Sequence, residues 1–256
     1  MNGKYEFFAD VVLPAKLNTQ SARTYMKDVL IKFKKDLETA IGKEITDADL
    51  LEAIKKFNLI RKNLSKIYAI QSQKPGIIKG ADLYAIVKGS MVMDRDEVVD
   101  LLPAIVNNLE KLDVPENKAK RIVIAGSICD SPDIYTAIEA AGGVIVGDDL
   151  CTGQRWFEGQ IPEDETPIDA ISARFLDRII CPAKHFSPFA RGENLVSLAK
   201  KNKADGVIFM TLKFCDPHAF DYPYLKEFLD REGIKNLAIE MDDQQQNSGQ
   251  LATRFE

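Results

Sequence analysis

No apolar run in the 256-residue chain approaches the ~20 residues needed to cross a bilayer, and the opening Met1-Asn-Gly-Lys-Tyr-Glu6 lacks the apolar core of a secretory signal. These two absences predict a soluble, cytoplasmic chain with no membrane partner. Cysteine is also sparse. The four thiols (Cys129, Cys151, Cys181 and Cys215) are too few and too dispersed for the disulfide framework of a small secreted domain, so thiols or metal ligands are expected. No Cys-x-x-Cys pair is present, and the Cys-x-x-His spacing of Cys215-Asp-Pro-His218 is half a zinc site without a second half. Of the two histidines, His185 reads as a surface or capping residue. A basic excess is missing as well. With 34 Lys and Arg against 39 Asp and Glu, the net charge of -5 gives counterion release no obvious source, so no nucleic-acid partner is expected. Neither G-x-G-x-x-G nor a Walker lysine occurs.

What is present suffices for a globular protein, with 45% apolar and 29% charged residues. Residues 1–115 read as a helical region and residues 116–256 as an α/β domain. Between 18 and 42, Ala22, Tyr25, Met26, Val29, Leu30, Phe33, Leu37 and Ile41 fall on one helical stripe, with Gly42 as the stop. A second helix opens at the capping-box pattern Thr46-Asp-Ala-Asp49 and ends before Pro75-Gly76. A short third one is expected at 82–88. A fourth starts at Asp94, and Pro103 is expected to kink or split it.

From Arg121 the pattern becomes strand, turn, helix, repeated. The short apolar runs 122–125, 144–146, 207–210 and 237–239 read as parallel strands. Helices are expected near 133–141, 168–177, 194–202 and 224–232. This predicts an α/β fold: a helical N-terminal half followed by a flavodoxin- or Rossmann-like parallel sheet with helices on both faces. The last residues, 249–256, look like a helix cut off after two turns.

In such a sheet the loops after the strands share one rim. Those loops are Gly126-Ser-Ile-Cys-Asp-Ser-Pro132, Gly147-Asp-Asp-Leu-Cys-Thr-Gly-Gln-Arg155, Thr211-Leu-Lys-Phe-Cys-Asp-Pro217 and Met241-Asp-Asp-Gln-Gln-Gln-Asn-Ser248. Three cysteines therefore converge there, and thiolates favour zinc or iron-sulfur chemistry. A self-contained metal site from Cys129, Cys151 and Cys215 is one alternative; small core hydrophobes are the other. Asp148, Asp149, Asp242 and Asp243 read as helix caps, as ligand-orienting groups or as solvated surface residues. The loop 126–132 has the shape to cradle a phosphate on its amides.

The stretches Asp148-Asp-Leu-Cys-Thr-Gly-Gln-Arg155, the run 207–223 with its Lys-Phe-Cys-Asp-Pro core, and Gly249-Gln-Leu-Ala-Thr-Arg-Phe-Glu256, in that order, resemble the 2-hydroxyacyl-CoA dehydratase D-component family. That family also contains ATP-dependent benzoyl-CoA reductase subunits. The likeness extends back through Gly89-Ser-Met-Val-Met93 and covers nearly the whole chain.

The resemblance implies a heterodimer with a homologous second subunit, a 4Fe-4S cluster held by three cysteines in each subunit, and an ATP-dependent activator that supplies a low-potential electron. The substrate the resemblance implies is a CoA thioester. One electron on the thioester carbonyl gives a ketyl radical anion that expels the 2-hydroxyl and acidifies the β-hydrogen; elimination of water then returns the electron. Cys215 matches the family's last cluster cysteine. The other two ligands belong to an N-terminal cluster domain expected to be absent here, so the chain reads as the C-terminal two-thirds of a subunit, inactive alone. Cys129 and Cys181 match no ligand, and Cys151 matches a position near the site. Ser127, Asp149, Cys151 and Lys213 are the expected substrate-binding residues, with Lys213 and the rim amides facing the thioester oxygen and Lys184 or Arg191 facing CoA phosphates. A sister benzoyl-CoA reductase subunit, or a non-catalytic scaffold module without a cluster, are the competing readings.

Overall fold

The computed structural model describes residues 7–114, 116–178, 181–184 and 187–241; the expectations for His185, for Asp242 and Asp243, and for the terminal helix at 249–256 lie outside them. In chain order the elements are α1 (Gln20–Ile41), α2 (Asp47–Gln73), α3 (Gly80–Val92), α4 (Arg95–Lys111), β1 (Lys120–Gly126), α5 (Pro132–Ala140), β2 (Gly143–Asp149), α6 (Gln154–Phe157), α7 (Pro167–Asp177), α8 (Pro188–Lys201), β3 (Gly206–Leu212), α9 (Asp216–Arg231) and β4 (Lys235–Met241). Two compact units divide them. The first is drawn from residues 1–59 and 159–186, the second from 60–158 and 187–256.

In the first unit, α1 starts where the Thr19 hydroxyl accepts from the Ala22 amide and stops at Gly42, whose φ of 66° is the left-handed conformation that costs glycine least. The capping box at the head of α2 forms as its residues require. The Thr46 amide donates to Asp49 Oδ2 at 2.7 Å, and the Asp49 amide donates back to the Thr46 hydroxyl at 3.2 Å. Leu17, Met26 and Leu176 form one small core and Ile54, Ile161 and Ala170 another. Asn58 ties the backbone at Ile161 in both directions, donating to its carbonyl at 2.7 Å and accepting from its amide at 2.9 Å.

The second unit carries the sheet, four parallel strands in the order β2-β1-β3-β4. Alternation along the strands explains why both faces are covered. Ile124, Ile145, Ile208 and Met210 point to one side and pack with Ile134, Tyr135 and Ile138 of α5. Val123, Val144, Val207 and Phe209 point to the other and pack with Leu195 and Ala199 of α8 and with Leu225 and Leu229 of α9. A third core joins α2, α3 and α4 through Leu64, Ile67, Leu83, Val87, Leu102 and Val106, with Phe157 against them. The α/β fold with helices on both faces is therefore the one the residue pattern predicts.

Three elements differ from the expectation. Pro103 lies inside α4 without splitting it, because Val98, Leu102, Val106 and Leu109, on both sides of the proline, are buried along one stripe. The α8 helix begins at Pro188 rather than near 194, opened by the Ser187 hydroxyl accepting from the Ala190 amide at 3.4 Å. The start of α9 is at Asp216 rather than near 224. Pro217 takes the first turn, where a missing N–H costs nothing, and Pro223 is carried inside the helix. This last difference matters most, since it makes Cys215 the N-cap of a sixteen-residue helix.

Candidate functional site at the sheet rim

Strand order reverses between β1 and β3: the chain leaves β1 for β2 on one side and returns to β3 on the other. A doubly wound sheet opens a crevice at that point, outside the carboxyl ends of the strands. Gly126 and Leu212 end the two strands there. The rim is built closely enough to dictate its residue types. Gly126 has φ 141°, and a Cβ on it would meet the Met210 carbonyl oxygen at 1.9 Å, so only glycine fits.

Ser127 follows, fully withdrawn from solvent. Its amide donates to the Met210 carbonyl at 3.0 Å and its hydroxyl accepts from the Leu212 amide at 3.0 Å. Its carbonyl accepts from the Cys151 amide at 3.3 Å. Ser127 thus knots together the ends of β1 and β3 and the loop after β2.

The paired aspartates at the end of β2 point to opposite sides, as successive strand residues must. Asp148 receives the Tyr68 hydroxyl of α2 at 2.5 Å on one carboxylate oxygen, and the amides of Leu150 (3.2 Å) and Gln154 (2.8 Å) on the other. Burial pushes its carboxyl up to about 6 against an ordinary 3.8, and the Tyr68 and amide hydrogen bonds oppose that rise. Gly153 lies so close that a Cβ there would sit 1.9 Å from Asp148 Oδ1.

Asp149 enters a buried charge cluster that sequence reasoning missed. Arg155 of α6 donates to the Gly126 carbonyl and, at 2.7 Å, to the Asp149 carbonyl, and its Nε lies 3.3 Å from Asp149 Oδ1. Arg191 of α8 pairs with Asp221 of α9 at 2.6 Å and with Asp149 at 3.6 Å. His218 of α9 places Nε2 3.3 Å from Arg155 Nη1. Its imidazole is held neutral, pushed down to about 3, first by burial and then by the two guanidinium groups. Two arginines balance two aspartates, as charges removed from water require. Arg155 stands in the quoted run after β2 together with Asp149, but its other partners, the Gly126 carbonyl and His218, are distant in sequence.

The cysteines separate by environment. Cys129 is fully buried in the core under α5, its thiol pushed up to about 11 chiefly by burial. Cys151 and Cys215 are partly exposed on the rim, and Cys181 lies in the first unit. Among the described residues no group of three His, Cys, Asp or Glu side chains comes together to hold a metal. The self-contained site of Cys129, Cys151 and Cys215 is thereby overturned, because the Cys129 side chain turns into the apolar core. His218 likewise faces Arg155 and completes no zinc half-site.

Lys213 is exposed, with its amide on the Met241 carbonyl at 2.8 Å. Next to it Phe214 is 97% exposed at φ 65°, a left-handed conformation costly for a bulky residue and commonest at functional sites. In the first unit, Lys184 sits 3.7 Å over the Phe175 ring and donates to the Phe175 carbonyl at 3.2 Å; burial lowers its ammonium to about 8.

The family model described as 2-hydroxyglutaryl-CoA dehydratase, D-component, matches residues 3–256. The chain belongs to this dehydratase family. It is 30% identical over 249 residues to the (R)-phenyllactyl-CoA dehydratase beta subunit of Clostridium sporogenes, covering 97% of this chain and 66% of that one. A benzoyl-CoA reductase subunit of Thauera aromatica is 27% identical over 253 residues, with 97% and 64% covered. The beta subunit of the (R)-2-hydroxyglutaryl-CoA dehydratase of Acidaminococcus fermentans is 26% identical over 247 residues, with 95% and 65% covered. The dehydratase-family chain thus spans just under two thirds of the length of these relatives. Among its described residues no helix is long and apolar enough to cross a membrane.

Proposed function

We propose that the chain is the C-terminal part of a subunit of a 2-hydroxyacyl-CoA dehydratase, working with a homologous second subunit and an ATP-dependent activator in the elimination of water from an (R)-2-hydroxyacyl-CoA. The observation that carries this reading is the position of Cys215. It is a partly exposed thiol at the N-cap of α9, just past the end of β3 at the switch point, in the stretch that resembles the family's ligand motif.

We assign Cys215 as this chain's donor to a 4Fe-4S cluster because, of the three rim cysteines, it stands in the stretch that resembles the family's ligand motif; it is a soft donor and partly exposed, as Cys151 also is, whereas Cys129 is enclosed by apolar side chains. The remaining thiolates are expected from a part of the subunit beyond the relatives' shared two thirds. When bound, such a cluster supplies single electrons at low potential. This chain's residues bind and orient around it. Lys213, exposed beside Cys215, is the candidate partner for negative charge on the thioester oxygen, and Cys151 lines the same rim. Ser127 and Asp149, by contrast, organise the rim from beneath: the hydroxyl of one and the carboxylate of the other are spent on protein partners.

The test is an oxygen-free assay of the native assembly with activator, ATP and a panel of (R)-2-hydroxyacyl-CoA thioesters, read as 2-enoyl-CoA formation. Product that disappears with Cys215→Ala is the expected result. Consumption of benzoyl-CoA instead supports the sister reading favoured by the Thauera aromatica relative. No turnover and no iron in the assembly overturns both and leaves the scaffold module.

A further inference from the structure

The buried charge cluster lies beneath the helix that Cys215 caps, and every one of its links ends on the first turns of that helix or on the strand ends. The carbonyl of Cys215 accepts from the His218 amide at 3.1 Å and from the Ala219 amide at 3.0 Å, so the thiol's backbone is part of the first turn. His218, in that turn, contacts Arg155 at 3.3 Å; Asp221, in the next, contacts Arg191 at 2.6 Å. Arg155 in turn holds the carbonyls of Gly126 and Asp149, and both arginines share the Asp149 carboxylate. All five side chains are withdrawn from solvent, none more than 9% exposed. A network of this kind holds one geometry because each buried charge has fixed partners, and moving the helix would strand one of them.

We propose that Arg155 and Arg191 are positioning residues for Cys215: they clamp the first two turns of α9 to the rim, so that the thiol is presented at a fixed place beside the switch point. A ligand for a rigid cluster needs this placement, since sites on loops are held less precisely than sites tied to scaffold elements. Phe214 reinforces the point. The bulky residue just before Cys215 is held at φ 65°, which persists only where surrounding structure over-determines the backbone. The ligand role of Cys215 comes from the function proposed above; the clamp itself is a statement about where the thiol sits and is tested without a cluster.

The variant is Arg191→Gln combined with Asp221→Asn, which removes one complete ion pair and leaves Arg155 balanced against Asp149. Arg155→Lys is the second, keeping the charge but losing the fork that grips two carbonyls. Both are made in the full chain with Cys151→Ser and Cys181→Ser, and the rates of modification of Cys215 and of Cys129, buried in the core of the same unit, by Ellman's reagent are measured beside the thermal midpoint. The expected result is a rise of about tenfold in the Cys215 rate, with the Cys129 rate within twofold of the parent. A general loosening of the second unit raises both rates together and lowers the midpoint. If Cys215 stays within twofold of the parent in both folded variants, or if both thiols speed up in parallel, the clamp is refuted. The two readings fail separately: a faster Cys215 in these variants, together with unchanged iron in the Cys215→Ala assembly, keeps the clamp and removes the ligand role.

Discussion

Removing the Tyr68 hydroxyl should make the stability of the second unit more dependent on pH. The hydroxyl donates to a carboxylate that is 2% exposed, and the other carboxylate oxygen is already occupied by two backbone amides. A hydrogen bond to a buried charged group is worth about 1.5–3 kcal/mol, and the Tyr68 ring, packed at 5.2 Å from Phe157, remains in Tyr68→Phe. The expected loss is therefore about 2 kcal/mol at pH 8. Asp148 titrates at about 6 in the folded chain against an ordinary 3.8, so the folded state binds the extra proton between those values. Stability from this group is greatest below the ordinary value, falls as pH rises through the folded one, and is level above it. Without the hydroxyl, which works against the rise, the folded value climbs further and the fall continues to higher pH. The cost of Tyr68→Phe should thus be small near pH 5 and grow to its full size by pH 8. Urea unfolding at these two pH values measures it, with Asp148→Asn as the background in which the difference between them disappears. An equal cost at both pH values, or one under about 0.5 kcal/mol at pH 8, would refute the reasoning.

Further outcomes are open to simple measurement. Ser127→Ala should cost about 1–2 kcal/mol in urea unfolding, since the Leu212 amide loses its acceptor; a substrate contact alone would leave stability unchanged. Gly153→Ala should cost about 3 kcal/mol or prevent soluble expression, because the added methyl overlaps the Asp148 carboxylate, while Gly42→Ala, with nothing within 4 Å, should cost less despite its positive φ. Cys129 should resist iodoacetamide at pH 8 in the folded chain, both from burial and from a thiol value near 11, and react at once in denaturant.

The strands were legible because their signal is local: the runs 122–125, 144–146, 207–210 and 237–239 are apolar and too short for helices. The rim was legible for the same reason, once parallel strands put the loops after β1, β2 and β3 together. What escaped was set by long-range partners. The helix expected near 224–232 begins at Asp216, and the reason is visible only once His218, Leu225 and Leu229 are seen buried along it. Asp148 and Asp149 are indistinguishable neighbours in sequence. One faces Tyr68, 80 residues away, and the other faces Arg191, so their environments differ although their chemistry does not. Ser127 illustrates the converse, a rim hydroxyl read as substrate-facing that the fold also uses to accept from the Leu212 amide.

The most direct measurement is iron and acid-labile sulfide in the native assembly purified without oxygen, compared among the parent, Cys215→Ala and Cys129→Ser. The account predicts iron and sulfide in the parent, retained with Cys129→Ser and lost with Cys215→Ala. Equal iron in the parent and Cys215→Ala, or none in the parent, would contradict it.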